Sequence, residues 1–372
     1  MEYSRYIHEQ PEWPNLKWDS EKLAVAVADI HQKQGFLLGQ MATLGFKVRV
    51  EASLETLTAD VIKSSAIEGE LLDYNQVRSS IARRLGIDIG GITPVSRHID
   101  GIVEMMLDAT QNYSQPLTID RLFGWHATLF PTGRSGLRSI PVGAWRSDEA
   151  GPMQVVSGPI GHEKVHFEAP SAERLDQEMN VFQAWFNNST LMIDPILKAG
   201  VAHLWFVTIH PFEDGNGRIA RAIADLALAR ADKSKERFYS MSAQIEKERK
   251  EYYAILESTQ KDGFDITPWL QWFVSCLGRA IENANHVIDN ARRKAHIWAF
   301  ANQYPLNERQ RTVINRLLEN FIGNLTTSKY AKLAKCSQDT ALRDIHELTR
   351  YGVLIQNAGG GRSTSYQLIE KP

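Results

Sequence analysis

The sequence is poor in the residues that mark several protein classes. Its 372 residues hold only two cysteines, Cys276 and Cys336, which excludes a disulfide-built scaffold and a cysteine-rich zinc site. Two thiols this far apart are expected to be reduced, with a single bridge as the alternative. No run of about 18 apolar residues occurs, so a membrane is not among the expected partners. The first residues lack the basic-then-apolar layout of a secretion signal, and the expected location is the cytoplasm. An excess of one charge is missing too. The 42 Lys and Arg against 44 Asp and Glu leave a net charge of -2, which excludes a chain coated for nucleic acid but leaves room for a local basic patch. The length allows two or three domains with separate cores.

What is present is helical periodicity. An amphipathic run covers 20–44, with Leu23, Val27, Ile30, Phe36, Leu38 and Met41 on its apolar side, and another covers 51–67. Further helices are predicted at 92–112 and 118–130, the second capped by Thr118, and at 172–185, 194–209, 217–230, 247–261 and 267–300. Pro268 suits the first turn of the last of these. Glycine and proline gather at 136–170, where alternation at 142–146 and 165–167 predicts a β-hairpin or flap. After 305 the texture changes. Three short helices (309–321, 327–334, 338–351) precede two strands (352–356, 365–368) around Gly359, Gly360 and Gly361, the order of a winged helix-turn-helix.

The chemistry concentrates at 210–221: His210, Pro211, Phe212, Glu213, Asp214, Gly215, Asn216, Gly217, Arg218, Ile219, Ala220, Arg221. The apolar stretch before it predicts a buried helix that delivers His210 to a fixed place, and Pro211 ends that helix. Gly215 and Gly217 allow close backbone approach to a ligand, and the helix that follows points free amides at the loop, an anion site. Arg218 and Arg221 share one helical face and suit successive phosphates. Asp214 suits Mg2+, and His210 suits proton acceptance from a hydroxyl. Taken singly, a His before Pro is more often a packed residue; the combination carries the reading.

This string resembles the Fic family motif, His-Pro-Phe-x-Asp/Glu-Gly-Asn-Gly-Arg-x-x-Arg, at every position. The resemblance implies a protein adenylyltransferase that moves AMP from ATP to a Ser, Thr or Tyr hydroxyl. It implies His210 as base, Asp214 as Mg2+ ligand and Gly215, Asn216 and Gly217 as anion cradle. Arg218 and Arg221 would hold the β- and γ-phosphates, and Pro211 and Phe212 would fix the loop. It also implies a flap at 136–170 that docks the target protein, and a homodimer. Tyr252 and Tyr253 are expected at the adenine, with plain core packing as the competing reading of the aromatic cluster that adds Arg249, Trp269 and Trp272. The fold class is then mainly α, a Fic-type helical core with a β-hairpin flap plus a C-terminal winged helix-turn-helix domain. The domains expected are 1–91, 92–290 and 305–372.

The segment Ser64, Ser65, Ala66, Ile67, Glu68, Gly69 closes a predicted helix, and Gly69 reads as an ordinary stop. It also resembles the family's inhibitory motif, Ser/Thr-x-x-x-Glu-Gly/Asn, which places an inhibitory helix at about 51–69. By that resemblance Glu68 pairs with Arg221 and takes the place of the γ-phosphate, with Ser64 and Gly69 supporting it. A bifunctional enzyme that also removes AMP is the close alternative. In the C-terminal module, Gln338, Arg343 and Arg362 are candidates for DNA contact, opposed by Asp339 and Asp344; a protein partner is the other use of such a module. A nucleotide-sensing, DNA-binding transcriptional regulator is therefore the second functional reading, and the intact His210 weighs against it.

Overall fold

The computed structural model describes residues 6–89, 91, 93–149, 151–159, 162, 164–261, 263–318, 321, 323–358 and 364–369. Its helices are α1 (Ser20–Ala42), α2 (Phe46–Ile67), α3 (Tyr74–Leu85), α4 (Arg97–Gln111), α5 (Ile119–Leu129), α6 (Leu175–Asn187), α7 (Pro195–Ile209) and α8 (Asn216–Asp232). They continue with α9 (Met241–Lys247), α10 (Arg249–Lys261), α11 (Thr267–Ala301), α12 (Glu308–Leu318), α13 (Thr327–Leu333) and α14 (Gln338–Arg350). No described helix is long and apolar enough to cross a membrane. The chain divides into two units. One comprises Met1–Thr43, Ser53–Ile81 and Pro94–Ala284, the other Leu44–Ala52, Ala82–Thr93 and Asn285–Pro372.

The first unit is organised around α7. Leu197, Val201, Leu204, Trp205, Phe206 and Ile209 are all buried, so the helix is apolar on every side, as a helix wrapped by others must be. Asp194 caps it by accepting from the Ile196 amide, and Pro195 pre-sets its first turn. Helix α8 packs along α7, and α4, α5 and α6 complete the layer. Thr118 caps α5, as expected, by accepting from the Arg121 amide. Helices α4 and α5 meet at Gly101, where a Cβ would lie 1.9 Å from the Thr128 carbonyl oxygen.

Some elements differ from expectation. In α1 the buried stripe is Leu23, Val27, Ile30, Gln34, Leu37 and Met41, while Phe36 is 72% exposed. The strict 3–4 spacing runs through a polar residue, and Gln34 is satisfied inside by donating to Asp232 Oδ1 and Tyr239 Oη. Helix α4 begins only at Arg97, after Pro94, because Ser96 is its cap. Helix α3 was not expected at all, although Val77, Ile81 and Ala82 form a buried stripe along it. Residues 142–146 form no strand. The flap hairpin is instead β3 (Gln154–Ser157) against β4 (Lys164–Glu168), preceded by a small pair, β1 (Arg134–Ser135) and β2 (Arg138–Ser139). The reason is Arg146, whose buried guanidinium turns inward.

In the second unit, α12, α13 and α14 precede an antiparallel pair, β5 (Leu354–Gln356) and β6 (Tyr366–Leu368). Val313, Ile314, Tyr330, Ile345, Leu348 and Val353 form its core. Gln338 and Arg343 are exposed on α14. Asp344 does not face outward as the sequence suggested; it is buried and accepts from Arg309 Nε at 3.0 Å and Asn307 Nδ2 at 3.0 Å. Arg362 and the glycine turn 359–361 lie outside the described residues.

Candidate active site

Helix α7 ends at His210, whose φ of 52° and ψ of 57° put a non-glycine residue in the left-handed region. Such a conformation costs on the order of 1–3 kcal/mol and persists where its surroundings enforce it. Here Arg146 does so. Its Nε donates to the His210 carbonyl at 2.8 Å, its Nη2 to the Pro170 carbonyl at 2.5 Å, and its backbone amide to the Pro211 carbonyl at 3.0 Å. Asp148 accepts from Nη1 at 2.9 Å. The imidazole Nδ1 lies 3.1 Å from the Val207 carbonyl. A carbonyl only accepts, so Nδ1 carries the proton and Nε2 the lone pair. Burial lowers the His210 pKa from its ordinary value, the Val207 carbonyl opposing. The ring is therefore neutral, with a free basic nitrogen.

The loop after His210 is anchored by Phe212, fully buried and stacked on His126 with ring centroids 4.2 Å apart. Burial drives the His126 pKa down to about 4, so this ring stays neutral. Asn216 clamps the loop: its Oδ1 accepts from the Phe212 amide at 2.9 Å and its Nδ2 donates to the Phe212 carbonyl at 2.7 Å. Its side chain thus shapes the cradle and is spent on backbone. Gly215, at φ 84°, precedes α8, and a Cβ there would sit 3.0 Å from the Phe130 ring. Asp214 Oδ1 accepts from the Gly215 amide at 2.5 Å, and Oδ2 accepts from the Ser135 hydroxyl.

Arg218 and Arg221 of α8 meet acids from the end of α2. Gly69, at φ 86°, closes α2 with a left-handed turn, and the Glu70 amide donates back to the Ser65 carbonyl. That turn sends Glu68 and Glu70 toward α8. Glu68 Oε1 lies 2.8 Å from Arg221 Nη2, and a Cβ on Gly217 would come within 2.1 Å of the same oxygen. The carboxylate therefore sits on the first turn of α8, where an anion is favoured. Ser64 supports the pair: Arg221 Nε donates to its Oγ at 2.9 Å and Nη2 to its carbonyl at 2.8 Å. Arg218 Nη1 donates to Glu70 Oε2 at 2.9 Å, and its guanidinium lies over the Phe130 ring. Glu70 also meets His98 Nε2. Burial would raise the Glu70 pKa, but His98 and Arg218 outweigh it and hold the carboxyl below the usual range.

The two tyrosines part company. Tyr252 is buried, its hydroxyl 2.9 Å from His203 Nε2, in a cluster with Trp269 and Trp272. Tyr253 is 39% exposed and donates to the Ile67 carbonyl at 3.2 Å and toward Glu68 Oε2 at 3.4 Å. Trp269 is core, its indole N–H donating to the Gly200 carbonyl. Sequence reasoning missed Arg146, His126 and Glu70. Arg146 was hidden in a segment read as a strand, and Glu70 is an unremarkable acid until the turn at Gly69 aims it.

The arrangement joins a neutral base, an amide-rich helix start and two arginines, which suits transfer chemistry at a polyphosphate. Among the described residues no group of three His, Cys, Asp or Glu side chains is placed to hold a metal. A single carboxylate, Asp214, suits Mg2+, which is held by one or two carboxylates together with substrate phosphates.

Residues 116–228 match the model of the Fic/DOC family, and residues 6–87 match a domain of unknown function, DUF4172. A protein adenylyltransferase Fic from Nematostella vectensis is 25% identical over 225 residues, 60% of this chain and 47% of that protein. Protein adenylyltransferase fic-1 from Caenorhabditis elegans is 34% identical over 125 residues, 33% of this chain and 22% of that protein. The chain thus spans less than half the length of these curated relatives. In fold it is similar to a Fic domain containing signaling protein from Bacteroides thetaiotaomicron, with TM-score 0.52, 21% identity and coverage of 71% of this chain and 97% of the other. Fic-1 from C. elegans gives TM-score 0.51 at 22% identity, with 73% and 74% covered. The motif at 210–221 and the helices around it lie within residues 116–228, the stretch that is similar to the Fic/DOC family.

Proposed function

We propose that this protein transfers AMP from ATP to a Ser, Thr or Tyr hydroxyl of a target protein, and that Glu68 holds the enzyme nearly idle. The observation that carries the reading is the pairing of Glu68 with Arg221 on the first turn of α8, beside His210 with its free Nε2. The relatives named adenylyltransferases support the same transferred group.

In the reaction the target hydroxyl oxygen bonds to the α-phosphorus, the bond to the β-bridging oxygen breaks, and pyrophosphate leaves. The hydroxyl proton passes to His210 Nε2. Arg218 and Arg221 grip the β- and γ-phosphates, and the amides at the start of α8 hold phosphate oxygens. Mg2+, held by Asp214, would neutralise charge on the phosphates. While Glu68 occupies Arg221, the γ-phosphate lacks its grip and the α-phosphorus is misaligned. A misplacement of about 1 Å costs on the order of a hundredfold in rate. The target segment docks along the flap at 136–170, and the exposed Gln338 and Arg343 on α14 face a DNA or protein partner.

The donor chemistry is tested by incubating Glu68→Gly with ATP labelled at the α- or the γ-phosphorus. Protein-bound label from the α position alone supports AMP transfer. Label from the γ position would establish phosphoryl transfer and sink the proposal.

A further inference from the structure

A second set of reactive side chains lies on the flap hairpin. Ser157 Oγ, at the exposed end of β3, is 2.6 Å from His166 Nε2 on β4. His166 Nδ1 is 2.6 Å from Glu257 Oε2 on α10. The second carboxylate oxygen of Glu257 accepts from Lys261 Nζ at 2.5 Å. Lys261 and, behind it, His166 hold the Glu257 carboxyl below its usual range, so it is ionised at neutral pH.

The order of donors follows from that charge. A carboxylate only accepts, so Nδ1 of His166 carries a proton, and in the neutral ring Nε2 accepts the Ser157 hydroxyl hydrogen. This is a nucleophile hydrogen-bonded to a base that a third group orients, the arrangement by which serine hydroxyls are activated. The hairpin is also irregular at the right place. Val155 pairs with Phe167 but Val156 pairs with Val165, so His166 is the extra residue of a β-bulge. Bulges of this kind re-aim a side chain beside active sites. Gly158, at φ 108°, turns the chain immediately after Ser157 and brings no side chain over the hydroxyl.

We propose that Ser157, His166 and Glu257 form a second nucleophilic centre, in which Ser157 Oγ takes acyl groups from activated carboxylic esters. The Oγ–carbon bond forms as the bond from the carbonyl carbon to the alcohol oxygen breaks. The Ser157 proton passes to His166 Nε2 and on to the departing alcohol. Water then attacks the acyl-serine, gives its proton to the same nitrogen, and releases the acid with Ser157 restored. The centre acts independently of the nucleotide chemistry proposed above.

The test uses the full chain with an alkyl fluorophosphonate, whose phosphorus bonds to an activated serine oxygen with loss of fluoride, and with p-nitrophenyl acetate as ester. Peptide mapping should find the adduct on Ser157, absent in Ser157→Ala. His166→Ala should slow labelling and nitrophenol release at Ser157 by roughly a hundredfold, the range for loss of a general base. Glu257→Gln should slow both by less. Circular dichroism of each variant checks that the hairpin change leaves the fold intact. If Ser157 stays unlabelled in the wild type, or is labelled as fast in His166→Ala, the three residues only pin the hairpin to α10 and the proposal is overturned.

Discussion

Replacing Glu68 by Gln isolates the charge in the contact with Arg221. The shape is nearly kept, and so are the Ser64 bonds to Nε and Nη2. What changes is that an Arg221 side chain only 2% exposed exchanges a charged acceptor for a neutral one. Hydrogen bonds to charged groups contribute about 1.5–3 kcal/mol, so exchanging one charged partner for a neutral one loses part of that. The Glu68 side chain is 33% exposed, which places the loss at the low end, about 1 kcal/mol. The variant should melt roughly 1–2 °C lower without nucleotide. Under the proposed competition between Glu68 and the γ-phosphate for this guanidinium, the variant should bind Mg-ATP about fivefold more tightly, the equivalent of about 1 kcal/mol. Scanning fluorimetry with and without Mg-ATP, together with a fluorescent-nucleotide titration, reads both. In an Arg221→Met background the gain in affinity should vanish. A lower melting point without any gain in ATP affinity would refute the competition.

Acid should weaken the fold early. His126 and His203 are buried neutral with pKa values of about 4 and about 3, each lowered chiefly by burial. In the unfolded chain these rings take protons near pH 6.5, so the stability they contribute is present above that pH. It is lost as pH falls from 6.5 toward 4, by up to about 1.4 kcal/mol per pH unit for each group. Urea midpoints at pH 7.5 and 5.0 that coincide would oppose this. Gly101→Ala should cost about 3 kcal/mol in urea unfolding, because its Cβ would meet the backbone of Thr128 at 1.9 Å; a change below about 0.5 kcal/mol would show that α4 and α5 yield easily. Arg146→Met should lower kcat for label transfer with little change in the KM for ATP, since Arg218 and Arg221 are untouched while His210 loses its brace. A raised KM at unchanged kcat would contradict that role.

Much of the site was legible because local chemistry wrote it. His210, Pro211 and the glycines of 215–217 dictate a helix end, a tight loop and a new helix start. That junction needs little help from the rest of the chain. Thr118 is a cap that follows from residue type and place. The fold class followed from helical periodicity in the same way. What was not legible depends on distant partners. Gln34 belongs to the buried face of α1 only because Asp232 and Tyr239 meet it there. Arg146 looked like part of a strand until the carbonyls of Pro170 and His210 drew it inward. Glu70 gains meaning only when the left-handed Gly69 turns it toward Arg218. The Ser157, His166 and Glu257 array joins two strands and a helix, with a bulge that no local pattern announces.

The central claim is that His210 is the base of an AMP transfer that Glu68 restrains. The most direct measurement is the initial rate of α-phosphate label incorporation into protein for wild type, Glu68→Gly and Glu68→Gly with His210→Ala. The account predicts a rise on the order of a hundredfold on removing Glu68. It predicts a loss of roughly a hundredfold or more on then removing His210. Equal rates in wild type and Glu68→Gly, or label that persists without His210, would contradict it.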